Sequence, residues 1–162
     1  MIKKSAVVAA TIAALLLPAA GPAVAKGPTP GAAAAVTGLS CGTGYQCDNT
    51  DPNRFSFDKK DTDDVAHDPG CASVELRSGK SGGYWYAWAA LNVNTLCGRY
   101  QGWIDRSYDG GKTWTLLGFF ETSDIEGRGW GTMFFWPDSA KVRAGFKRPN
   151  EPWNKSGLTK WH

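Results

Sequence analysis

From Cys71 to Phe146 the chain alternates short apolar or aromatic runs with turns rich in glycine, aspartate and serine, and this punctuation limits the fold more than any other feature. Six segments read as strands: Ser73–Arg77, Tyr84–Leu91, Tyr100–Arg106, Thr113–Phe120, Trp130–Trp136 and Lys141–Phe146. The first, SVELR, sets Val74 and Leu76 against Glu75 and Arg77, the two-residue period of a half-buried strand. YWYAWAAL is free of charge and suits a central strand, and its aromatics, with Gly82 and Gly83 before it, outweigh its helix-forming alanines. No amphipathic helix separates these runs, and no repeat of a propeller blade's length is visible. The expected class is therefore all-β: a small antiparallel sandwich or barrel, disulfide-stapled, with a loop-rich N-terminal segment.

The ends divide the chain further. Residues 1–25 read as a secretory signal peptide, with Lys3 and Lys4 before the apolar run Ala6–Leu17 and small residues Ala23, Val24 and Ala25 at a cleavage site. That run is too short to span a bilayer, so release to the extracellular space is expected and membrane insertion is not. Residues 26–35 read as a disordered arm, 36–146 as the β domain and 147–162 as a basic aromatic tail. The formal charge of +3 includes Lys3 and Lys4 of the signal, so the processed chain is close to neutral and lacks the basic footprint of a nucleic-acid binder. Nothing in the sequence reports an oligomeric state.

Four cysteines behind an export signal read as two disulfides, with three possible connectivities. Cys41–Cys47 with Cys71–Cys97 is preferred, because the first closes a glycine-rich loop and the second joins the start of one strand to the end of another. Zinc is disfavoured, since neither CxxC nor CxxH occurs. The polar stretch between Cys47 and Cys71 reads as ordered loop, with a helical turn near Thr62 to Ala66. Its aspartates between Asp58 and Asp68 make calcium the weaker alternative to a solvated acidic loop, because DTDD departs from the spacing of a calcium loop. No cofactor and no metal site are expected.

SYDGGKTW, Ser107 to Trp114, lies between GWIDR and TWTLLGFF and reads as a hairpin turn: its glycines supply positive φ and Asp109 accepts from backbone donors inside the loop. Ser107, Asp109, Gly111, Thr113 and Trp114 resemble the Asp-box of sialidase-like proteins, a structural hairpin that lies away from the catalytic centre of the enzymes that carry it. A propeller enzyme would repeat the box, and here it occurs once. More of the chain, through CGTGYQCDNTDP, the ELR strand, WIDRSYDGGKTW and VRAGF, is similar to small secreted actinobacterial proteins of a domain-of-unknown-function type. In those proteins the late strand reads VRAC and a further cysteine stands near the C-terminus. Here Gly145 and Leu158 or its neighbours occupy those places, which implies a lost terminal disulfide and a less secured tail.

Catalytic constellations are thin. A Ser-His-Asp arrangement would need His67, flanked by Asp64 and Asp68, with Ser73 or Ser78, and no nucleophile-elbow motif is present. Glu75, Asp105, Glu121 and Asp124 are the carboxylates on or near strands that a glycosidase would draw on. No catalytic residue is assigned, and an enzyme is the less favoured reading. Eight tryptophans and five tyrosines point elsewhere, because sugar rings stack on exposed aromatic faces while nearby polar groups fix their hydroxyls. Trp88, Trp130, Trp136, Trp153 and Trp161 are the candidate ligand-binding side chains. The expected function is a secreted noncatalytic binding or envelope-associated module, with polysaccharide or cell-wall glycan as the first ligand class. A small secreted glycoside hydrolase is the first alternative. A protein-binding factor or inhibitor using the tail as a mobile arm is the second.

Overall fold

The computed structural model describes residues 38–42, 44–122 and 127–162, all within one compact unit spanning Val36–His162. The signal peptide, the arm and Asp124 lie outside the described residues. Nine strands form two antiparallel sheets among them: β1 Lys59–Asp68, β2 Ala72–Ser81, β3 Tyr84–Val93, β4 Gln101–Ser107, β5 Thr115–Glu121, β6 Arg128–Trp130, β7 Phe134–Phe135, β8 Lys141–Lys147 and β9 Gly157–Leu158. The first sheet runs β1-β2-β3-β6, with β7 also pairing β3, and the second runs β5-β4-β8-β9. The class is all-β, as the punctuation predicts.

The two sheets face each other through β2 and β3 on one side and β4 and β8 on the other. Val74, Leu76, Ala87, Ala89 and Leu91 meet Ile104, Val142, Ala144 and Phe146 in the buried core. Alternation explains the choice of residues. In β3 the odd positions from Ala87 to Leu91 enter this core. The even positions Tyr86 and Trp88 enter a second cluster with Cys41, Cys47 and Met133, flanked by Phe55 and Phe57. YWYAWAAL is charge-free because both of its faces are covered. The cover is the N-terminal segment, held by the Cys41–Cys47 disulfide and by a hydrogen bond from the Tyr86 hydroxyl to the Gly44 carbonyl at 2.8 Å. Cys71 pairs with Cys97, so both disulfides join as the sequence suggests. Among the described residues no helix is long and apolar enough to cross a membrane.

Three segments differ from expectation. Trp130–Trp136 is not one strand: β6 ends at Trp130 and β7 takes up Phe134–Phe135, each pairing with a different part of β3. The acidic stretch is a strand and not a loop: Lys59–Asp68 pairs along the whole of β2, with a bulge between Thr62 and Asp64. Edge strands tolerate such charge, because lysines and aspartates on an open edge discourage pairing with another chain. Only Ala66 packs on the core, so the strand shows no clean apolar period. Among the described residues no cluster of three potential ligands converges to hold a metal ion.

The segment from Lys147 is built into the second sheet and is not a free arm. Gly157–Leu158 pairs β8, and His162 and Val142 exchange both backbone hydrogen bonds, at 3.0 and 2.9 Å. Lys147 is buried, its ammonium donating to the carbonyls of Arg148, Pro149 and Glu151, which fixes the turn that sends the chain back. Gly145 and Leu158 are register partners across β8 and β9.

Candidate functional site

At one end of the sandwich the inner faces open into a cavity of about 460 Å³. Trp85, at the start of β3, continues the inward row of Ala87 and Ala89 past the end of the core and lines it. Trp136 stands beside it, its backbone N–H donating to the Trp85 carbonyl at 2.8 Å. The Trp136 indole N–H donates to the Ala140 carbonyl at 3.0 Å, across the turn that leads into β8. One ring comes from a strand and the other from a turn tied to that strand, so neither relies on a long flexible loop.

The polar lining comes from β1 and from the second sheet. Asp63 is the bulge residue, passed over by the β1–β2 register, and it lines the cavity two residues on from Asp61. Asp61 is salt-bridged to Lys59 at 2.7 Å, and the same ammonium sits 5.5 Å from the centroid of Trp85. Asp138, Lys141 and His162 line the opposite side, and Ser78 lies in the interior. Asp63 Oδ2, Ser78 Oγ and His162 Nε2 are buried with no hydrogen-bond partner among the described residues. Asp64, next to the bulge, accepts from the Lys160 N–H at 2.8 Å and lies 3.7 Å from His162 Nε2. The Lys160 hydrogen bond, the largest cause, lowers the Asp64 carboxyl below its ordinary value. The chain end is thereby fastened to β1, and His162 is held at the cavity. Two indoles, three carboxylates and several donors around one concavity can hold a ring by its face and its hydroxyls by their edges.

The sequence-selected tryptophans divide among three places. Trp136 lines the end cavity, while Trp88 and Trp130 line a separate pocket of about 280 Å³ on the outer face of the first sheet. Trp153 lines a third, of about 290 Å³, on the outer face of the second sheet. Trp88 is only 5% exposed, because Phe57 of the N-terminal segment stacks on it at 5.3 Å; it forms a wall and not the open platform expected. Trp130 and Trp153 are exposed, and Trp161 is half-buried.

The third pocket has a buried ion pair. Arg143 Nε donates to Asp105 Oδ2 at 2.9 Å, and the guanidinium lies 4.7 Å from the Trp114 ring and 4.3 Å from the Trp161 ring. Burial pushes the Asp105 carboxyl above its ordinary value, opposed by the Arg143 hydrogen bond and charge and least by the Trp103 indole. Trp153 meets Trp103 edge to face at 4.9 Å. This cluster clamps the returning chain onto β4 and β8.

The Ser107–Trp114 turn works as an internal hydrogen-bond hub. Asp109 accepts from the Thr113 N–H at 2.9 Å, from the Thr113 hydroxyl at 2.7 Å and from the Ser107 hydroxyl at 2.8 Å. The Ser107 oxygen accepts from Gly111 N–H at 2.8 Å. Trp114 is 52% exposed and leans toward Trp161.

Of the carboxylates a glycosidase would draw on, the three among the described residues each have separate partners. Glu75 binds Arg77 and Asn92, Asp105 binds Arg143, and Glu121 binds Arg99 and Gln101. His67 and Ser73 are cross-strand partners, yet no hydrogen bond joins them among the described residues, while Asp68 accepts from the Tyr100 hydroxyl.

No family model, curated protein or solved structure matches the chain. Function must be argued from the chemistry of these sites. The end cavity holds Trp85, Asp138 and His162, which the sequence reading did not select, and Asp61 and Asp63, which it considered only as part of an acidic loop. The two-residue period of β3 puts Trp85 on the same face as Ala87 and Ala89, opposite Tyr84, Tyr86 and Trp88. No sequence signal marks a bulge at Asp63.

Proposed function

We propose that this chain is a secreted, noncatalytic glycan-binding module whose end cavity holds a sugar ring between Trp85 and Trp136. One observation carries the reading: the two indoles share a cavity of about 460 Å³ with Asp61, Asp63 and Asp138, a size suited to one or two sugar units. The signal-like N-terminus and the two disulfides support export to an oxidising compartment. In this reading the Ser107–Trp114 turn is an Asp-box used as a folding device, remote from the ligand.

The test is retention on insoluble peptidoglycan, chitin and cellulose, with tryptophan emission followed during titration with their soluble oligosaccharides. Retention by at least one polymer and an emission change are expected. Trp136→Ala should weaken binding roughly tenfold, because a stacked aromatic face contributes on the order of 1 kcal/mol beyond the area it buries. No retention and no emission change on any of the three polymers would sink the proposal. Because three carboxylates line the same cavity, a hydrolase is the second reading. Sugar release abolished by Asp61→Asn, Asp63→Asn or Asp138→Asn, with binding kept, would favour it.

A further inference from the structure

The pocket on the outer face of the first sheet differs in charge from the end cavity. Four adjacent strands present Lys60 from β1, Arg77 from β2, Trp88 from β3, and Arg128 with Trp130 from β6, around about 280 Å³. No carboxylate lines it, whereas three line the end cavity. Arg77 is neutralised by Glu75, its Nε donating at 2.6 Å, and Glu75 is steadied by the Asn92 amide at 2.9 Å. Lys60 and Arg128 make no ion pair among the described residues, and both are exposed. The pocket therefore has two unneutralised cations, and the low-dielectric wall of Trp88 concentrates their field.

Its aromatic surface is held in place. The Trp130 indole N–H donates to Asp51 Oδ1 at 3.2 Å, and the same oxygen accepts from the Asn53 backbone N–H at 2.9 Å. One carboxylate oxygen thus fixes both the Trp130 ring and the turn carrying Pro52 and Asn53, which closes the pocket's far side. Trp130 remains 46% exposed, so its ring offers a face to solvent while its edge is tethered. A fixed, half-open indole beside two free cations matches a ligand with an apolar ring face and a negative group at its rim.

We infer that this pocket is a second binding site, selective for an anionic sugar unit that stacks on Trp130 and places its acidic group between Lys60 and Arg128. The inference builds on the glycan reading, but it concerns a different site, ligand charge and set of residues.

The experiment is calorimetric titration of the whole protein at low ionic strength with tetragalacturonate, a sulfated chondroitin oligosaccharide and neutral cellotetraose. Binding of tetragalacturonate shows that a carboxylate suffices, and the chondroitin oligosaccharide, which carries both uronate and sulfate, tests whether sulfate adds to it. At least one acidic probe should bind, with affinity falling several-fold as salt rises toward about 0.2 M, since exposed charges are screened there. Trp130→Ala and Arg128→Gln should each weaken that binding about fivefold or more, and Lys60→Gln, an exposed side chain whose ammonium lies 4.9 Å from the Phe57 ring, serves as the third pocket variant. Trp136→Ala should leave it unchanged. The inference is overturned if neither acidic probe binds, if binding survives all three pocket substitutions, or if Trp136→Ala abolishes it. Failure of retention and of emission change on all three polymers would remove the end-cavity reading and leave this one standing.

Discussion

Asp109 spends its whole acceptor capacity on its own turn, and its ionisation should report whether that turn is closed. The Thr113 N–H and hydroxyl and the Ser107 hydroxyl stabilise the charged form and lower its pKa to about 2. An unfolded aspartate titrates near 3.9, so the folded state binds the proton less readily. The contribution of this charge is fully present above the unfolded value and is lost as pH falls through the folded one. Asp109→Asn should therefore melt below the wild type near pH 6, and the gap between their melting temperatures should close toward pH 2. Circular dichroism melts at pH 6, 4 and 2 measure it; a gap that stays constant across that range would show that the charge itself does not hold the turn.

At the scale of elements, the returning chain is held by aromatic packing as well as by backbone pairing. Gly145 leaves room for Trp103: a Cβ there would lie 2.5 Å from the indole ring. Trp103 in turn supports Trp153, so the space a side chain would need at position 145 is filled by the rings that hold the tail. Gly145→Ala should cost about 1–3 kcal/mol, the range for overpacking a filled site, read as a lowered urea midpoint with unchanged slope. A midpoint equal to the wild type would mean that Trp103 relaxes freely and the tail is held by backbone pairing alone. The same segment shows where sequence patterns stop being informative. The central strands were legible because alternation writes burial into residue type, as Val74 and Leu76 do against Glu75 and Arg77. β1 was not, because an edge strand pairs through its backbone and carries charge by necessity. β9 was not, because two residues are too few to show a period. The end cavity was half legible: tryptophan content pointed to aromatic platforms and selected Trp136. Asp61 and Asp63 reach the cavity from an edge strand that no apolar period marks, and His162 arrives through pairing with Val142 of β8, which nothing in the sequence marks either.

For the whole molecule, two disulfides of very different span guard two different boundaries. Cys71–Cys97 joins the start of β2 to the crossover between the sheets and encloses a sequence separation of 26. Cys41–Cys47 spans only 6 and shapes the segment that covers Tyr86 and Trp88. In the chain-entropy account, closing the longer loop removes more freedom from the unfolded chain, about 3.5 kcal/mol against about 2 for the shorter. Replacing Cys71 and Cys97 together by alanine should thus lower unfolding free energy by roughly 1 kcal/mol more than replacing Cys41 and Cys47. Urea titrations of the two double variants, monitored by tryptophan emission and by circular dichroism, test the order. The longer-loop variant should lose stability with both probes coincident, because its disulfide acts on the unfolded state of the whole domain. A reversed order would mean that the N-terminal cover over Trp88 contributes more to holding the sandwich than the link between its sheets.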